Sequence, residues 1–100
     1  MSSLPDGLLD AARNYLDITW ADDAGDEKLS GIVARGIAYL DRVAGVEQDY
    51  AAETDARALL FDYCRYVRAG ALHSFSADFA DELMALHMAG EVTQYDAADV

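Results

Sequence analysis

The sequence predicts an all-α fold, a small bundle of about four helices, and three observations predict it. Apolar residues make up 53% of 100 residues, which sets the chain apart from the disordered class. One proline and seven glycines leave long stretches uninterrupted, favouring long elements over many short strands. The apolar residues then recur at steps of three and four, the period of a helix face. A chain of this length makes one domain and buries about two-thirds of its unfolded surface.

The first helix is expected over residues 8–16, where Leu8, Leu9, Ala12, Tyr15 and Leu16 share a face and Asp6 stands ready to cap. Ile18-Thr19-Trp20 reads as an apolar connector and residues 21–25 as an acidic loop. The second helix carries the clearest stripe, Leu29, Ile32, Val33, Gly36, Ile37, Leu40 and Ala44. Asp23 is its expected cap, with Asp26 reaching back three residues later as in a capping box. Gly45 is its expected stop. Glycine inside a helix costs about 1 kcal/mol against alanine, so Gly31 and Gly36 are expected to mark close helix approach.

After a polar linker, a third helix is expected over residues 54–72. Its stretch Leu59-Leu60-Phe61-Asp62-Tyr63-Cys64-Arg65-Tyr66-Val67 is apolar on more than one face, which suits a central element. A fourth helix is expected over residues 77–89, capped by Ser76, with Phe79, Leu83 and Leu86 facing inward and Gly90 ending it. Residues 1–90 thus form the helical domain, and residues 91–100 read as a loose polar tail.

The net charge of −12 disfavours binding to phosphate backbones and to anionic membranes. No apolar run approaches the roughly 20 residues that span a bilayer, so no membrane partner is expected. Met-Ser-Ser-Leu-Pro-Asp at the start lacks the basic and apolar regions of a signal peptide, and a single cysteine excludes an internal disulfide. The expected setting is the cytoplasm.

The sequence carries no recognisable catalytic or metal-binding constellation. Cys64 lies in the most apolar stretch, where cysteine is a small buried hydrophobe rather than a nucleophile with a base beside it. His73 and His87 have no ligand-spaced partner, so no metal and no cofactor are expected. The acids from Asp22 to Glu27 fail the calcium-loop pattern, with Ala24 at the third position and Gly25 at the fourth. Gly31 and Gly36 have the separation of a phosphate loop, but Ile37-Ala38 stands where Lys-Ser/Thr is required. Carboxylates are so numerous that no single pair points to acid–base catalysis. The expectation is a protein that is not an enzyme.

The cations are better organised. Lys28, Arg35 and Arg42 fall seven apart on the second helix, one stripe with slight drift, and Arg57, Arg65 and Arg68 favour one side of the third. Intrahelical pairs, Asp62 with Arg65 for instance, account for some of this. The sharper reading is a self-complementary surface in which Lys28, Arg35, Arg42, Arg65 and Arg68 of one copy meet acids of the next, since head-to-tail contacts close into rings when the rotation allows.

The order of these features resembles that of phage head–tail connector proteins, also called head completion or adaptor proteins, often found in prophages. The resemblance runs over residues 8–92. It rests on Leu16-Asp17-Ile18-Thr19-Trp20 with the acids that follow, Ile32-Val33-Ala34-Arg35-Gly36-Ile37-Ala38-Tyr39-Leu40, Leu59-Leu60-Phe61-Asp62-Tyr63-Cys64-Arg65-Tyr66-Val67-Arg68 and Phe79-Ala80-Asp81-Glu82-Leu83-Met84-Ala85-Leu86. His87 and Met88 stand where relatives tend to be more basic. The resemblance implies a homo-oligomeric ring, dodecameric by expectation, assembled beneath the portal protein in the host cytoplasm and retained in the virion. Such a ring extends the DNA channel and is a platform for stopper and tail proteins, with no catalytic residues. An acidic lumen would pass packaged DNA without trapping it, and Asp17, Asp22, Asp23 and Asp26 are the acids expected to line it. The rival expectation is an acidic DNA mimic that occupies the basic cleft of a host nuclease or DNA-binding protein; the segregated cations and the apolar excess argue against it.

Overall fold

A computed structural model describes residues 4–18 and 23–98, and of residues 23 and 94–98 the backbone alone. Its described residues form five α-helices and no strand: α1 (Leu8–Tyr15), α2 (Asp23–Ala44), α3 (Asp55–Arg68), a 3-10 turn (Leu72–Ser74), α4 (Phe75–Asp78) and α5 (Ala80–Ala98). The small helical bundle is as expected.

The apolar stripe of α2 places Leu29, Ile32, Val33, Leu40 and Ala44 in the core, each at most 3% exposed. Its largest interface is with α3, and the two run antiparallel: Gly36 lies on Leu60 and Tyr63, while Leu29 and Ile32 share a cleft with Val67 and Arg68. A Cβ on Gly36 would come within 2.6 Å of the Leu60 side chain and 2.9 Å of the Tyr63 ring, so this glycine sets the close approach that the sequence predicts. Gly31 does not: only the Arg35 guanidinium lies near its missing Cβ, at 3.7 Å.

As expected of a central helix, α3 touches α1, α2, the 3-10 turn and α5. It begins on a Thr54 cap, whose Oγ1 accepts from the Arg57 N–H at 3.1 Å. It ends at Arg68, earlier than the sequence predicts, because Gly70 adopts a left-handed conformation (φ 71°). The Ala71 N–H then reaches the Tyr66 carbonyl at 2.9 Å and the Gly70 N–H the Val67 carbonyl at 3.1 Å, the paired bonds of a Schellman stop.

The same stop closes α1, with Asp17 in the left-handed position (φ 58°) and the Ile18 N–H on the Arg13 carbonyl at 3.0 Å. An aspartate tolerates this conformation less well than glycine. Asp17→Gly should therefore leave stability unchanged or raise it by up to about 1 kcal/mol, read as a shift in urea midpoint. A clear loss would mean that the carboxylate has a structural partner. At the other end of α1 the cap is Gly7 rather than the expected Asp6, and no side chain closes it.

The α2–α3 linker is pinned by Asp41, whose Oδ1 accepts from the Gln48 N–H at 3.0 Å and the buried Tyr50 hydroxyl at 2.8 Å. Gly45 ends α2 with φ 81°, as predicted.

The chain after Gly70 departs from the single fourth helix expected. It winds through the 3-10 turn and the one-turn α4, breaks at Phe79 (φ −113°, ψ 26°), then enters α5. Ser76 lies within α4 and caps nothing, while Phe79 faces inward against the core as expected but is the joint between two helices rather than part of one. The break lets Phe75 insert fully, 1% exposed, among Tyr39, Tyr63, Tyr66 and Phe79, with ring centroids 4.9–6.1 Å away. Leu83 and Leu86 are buried as expected.

Gly90 is a second correction. The helix does not stop there but continues to Ala98, through most of the segment read as a loose tail. The reason is packing. Gly90 lies against the C-terminal end of α2, where a Cβ would overlap the Ala44 carbonyl group. The glycine is there for contact, not for termination.

Candidate functional site

Sequence reasoning pointed to the outer face of α2, and the structure leaves its cations in the open. Lys28, Arg35 and Arg42 are all exposed, and among the described residues none of them has an ion pair. The Arg42 guanidinium lies over the Tyr39 ring, 5.9 Å from its centroid. Between these cations the same face carries the small residues Gly31, Ala34 and Ala38, the alanines exposed, with the half-buried Tyr39 at its edge.

The two α3 cations separate from one another. Arg65 is satisfied within its own helix, 3.3 Å from Asp62 and 5.0 Å over the Tyr66 ring, so the intrahelical reading holds for it. Arg68 has no ion pair among the described residues and lines the same cleft as Lys28. Together with Arg13 they stand around a cleft of about 350 Å³ floored by Leu29, Ile32 and Val67. Arg13 has no periodic signal in the sequence. It clamps α1 to α2, 3.1 Å from Asp10 and 3.3 Å from Asp26, and its buried Nε has no well-aligned acceptor. Arg13 and Asp26, thirteen residues apart, are joined here only by the turn of the chain, which no spacing rule could reveal.

Of the four acids expected to line a channel, Asp26 is therefore spent on Arg13 rather than on reaching back to cap α2. Asp17 is exposed, in the left-handed position already described. Asp22 lies outside the described residues, and the side chain of Asp23 does too.

A second groove runs between α3 and α5, with a volume of about 460 Å³. Leu59, Phe79 and Leu86 wall it, and Asp55, Asp62 and Glu82 stand at its rim. The Tyr15 hydroxyl donates to Asp62 Oδ1 at 2.8 Å, and Arg65 reaches the same oxygen. This groove was not foreseen, because the acids on its rim are ordinary members of a long list of carboxylates. The outer side of α5 is also unexpected. Met84, Met88 and Val92 are 58%, 58% and 60% exposed.

The groups most able to do covalent chemistry are otherwise engaged. Cys64 is fully buried, and burial pushes its thiol up to about 11, only partly offset by the Arg68 charge. Burial, and then the Asp41 carboxylate beside it, also raises the Tyr50 phenol. His87 faces the Val43 carbonyl with Nδ1 at 2.9 Å and Glu91 with Nε2 at 3.0 Å, tying α5 to the end of α2. His73 sits exposed on the 3-10 turn. Among the described residues no three His, Cys, Asp or Glu side chains are grouped to hold a metal, and no helix is long and apolar enough to cross a membrane.

The buried thiol has a measurable consequence. Ellman's reagent should leave Cys64 unmodified in the native protein and react with it in full in urea. The folded chain holds the thiol and phenol protons more tightly than the unfolded chain. Their stabilising contribution is thus complete below about pH 9 and declines as pH rises, for Cys64 through a window ending near 11. Urea midpoints should fall from pH 8.5 to 10.5, and by less in Cys64→Ala. A midpoint flat over that range would contradict the burial of both groups.

Comparison with known proteins finds no matching family model, no matching curated protein and no matching solved structure.

Proposed function

We propose that the chain is a structural subunit of the head–tail connector of a tailed bacteriophage, one of a ring of copies seated beneath the portal protein. The ring extends the DNA channel and receives stopper or tail proteins. The observation that carries this reading is the row of exposed cations on α2, without ion pairs among the described residues, in a chain whose net charge is −12. In so acidic a protein, cations held together on one face are matched most readily by the acids of another copy. The resemblance of four sequence segments to connector proteins points the same way, and so does the all-helical fold. An acidic ring would pass packaged DNA with little phosphate contact to retard it. Nothing in this role calls for a cofactor or a catalytic group.

The test is the native mass of the purified protein over a concentration series at low and high salt, with negative-stain imaging of the large species, repeated with portal rings added. Closed rings, alone or on the portal, that loosen with salt are the expected result. A strict monomer that ignores the portal and captures a host nuclease would overturn the reading in favour of DNA mimicry.

A further inference from the structure

Helix α5 is apolar on two opposite sides. Leu83, Leu86 and Gly90 face the core, while Met84, Met88 and Val92 repeat every fourth residue on the outside. A surface helix normally turns a polar face to water, and one that is apolar all round is covered on both sides. The inner side is covered by this chain and the outer side is not. Beside it lies the α3–α5 groove, with apolar walls and three carboxylates at its rim. That combination suits a long cationic side chain, whose aliphatic stem lies on the walls while its head reaches the carboxylates.

We infer that the outer face of α5 and the adjoining α3–α5 groove receive the outer face of α2 from a second copy of this chain. This rests on the ring-forming reading above and names the contact that would build the ring. Charge complementarity selects the occupant: the groove rim offers Asp55, Asp62 and Glu82, and the α2 face offers Lys28, Arg35 and Arg42 without ion pairs among the described residues. The spacing agrees as well. Asp55 and Asp62 are seven residues apart on α3, Arg35 and Arg42 seven apart on α2, so both pairs are about 10 Å apart along their helices. The two bonds already made by the Asp62 carboxylate both fall on Oδ1. Shape agrees too, since the small residues Gly31, Ala34 and Ala38 let a neighbouring helix bring the Met84–Met88–Val92 ridge close.

In one molecule α2 and α5 already pack together through their inner sides, so neither outer face can meet its own counterpart. The contact joins unlike faces of two copies and propagates from copy to copy, closing into a ring if the rotation per step permits.

Two sets of variants test the contact. Ala38→Cys and Met88→Cys, each with the buried Cys64 retained, are incubated singly and mixed under mild oxidation. A disulfide-linked dimer formed in the mixture, and by neither variant alone, is the expected result. Separately, Arg35→Glu should raise the concentration needed for assembly about tenfold or more, and Arg35→Glu with Asp55→Arg should recover most of that loss. Circular dichroism and urea midpoints confirm that each variant folds. Dimers of Met88→Cys alone would show α5 paired with α5 and overturn the inference. Rings without the mixed cross-link would leave the connector reading standing and remove this contact. A chain that forms no oligomer at any concentration, with or without portal, would remove both.

Discussion

Gly90→Ala is expected to cost about 3 kcal/mol, lowering the melting temperature by more than about 10 °C. The added Cβ would overlap the Ala44 carbonyl group and come within 2.7 Å of its carbon atom. A flexible side chain could swing away, but here the obstacle is backbone at the end of α2. That end is held in place by Gly45 and by the His87 bond to the Val43 carbonyl. Relief requires α5 to move off α2, exposing Leu83 and Leu86. The size of the effect is diagnostic. A glycine that terminated a helix in the left-handed conformation would lose only about 1 kcal/mol on replacement by alanine, and one in an exposed helix interior would gain up to about 1 kcal/mol. Thermal melts of the two proteins therefore decide between the glycine as stop and the glycine as contact. Gly36→Ala should cost less, since it meets the movable side chains of Leu60 and Tyr63.

Phe75→Ala should be as damaging, at about 3–5 kcal/mol. The Phe75 ring is 1% exposed and stacks on Phe79, centroids 4.9 Å apart, while Tyr63 and Tyr66 meet it edge-on at 5.7 and 5.5 Å. It is also the first residue of α4, a single turn too short to hold by itself. Losing the ring leaves a cavity and releases the segment that joins α3 to α5. Phe75→Leu fills much of the space and should recover well over half of the loss. Chemical denaturation gives both values, and near-ultraviolet dichroism should collapse in the alanine variant. An alanine variant of wild-type stability would mean that the aromatic cluster does not hold the joint.

How much of this was legible in the sequence depends on whether the signal was periodic. The core face of α2, the central place of α3 and the inward Leu83 and Leu86 follow from spacing alone, and so does the cation stripe, because seven residues are close to two helical turns. Glycine was the ambiguous letter. Its small size says that something special happens, but not whether that is a left-handed turn, as at Gly70, or a close contact, as at Gly36 and Gly90. For this reason sequence alone makes Gly90 a stop and gives no sign of the turn at Gly70. The break at Phe79 was hidden because Phe79, Leu83 and Leu86 keep helical spacing across it, and only the pull of the aromatic cluster on Phe75 explains the interruption. The acid-rimmed groove and the Arg13–Asp26 clamp depend on residues brought together by the fold, for which a single sequence carries no signal.

The unequal separation of the two main helix contacts also sets an order of events. The α2–α3 pair is closed by the ten residues from Gly45 to Thr54, with Asp41 pinning Tyr50 and Gln48 across it. The α2–α5 contact at Ala44 and Gly90 must wait for more than forty intervening residues. Short loops close first because they lose less chain entropy, so the folding nucleus is expected in α2 and α3. Conservative truncations there, such as Val33→Ala, should slow refolding, whereas Leu86→Ala should chiefly hasten unfolding. Helix α5, last to dock and first to leave, is then the part of the subunit that a neighbour can most readily hold in place.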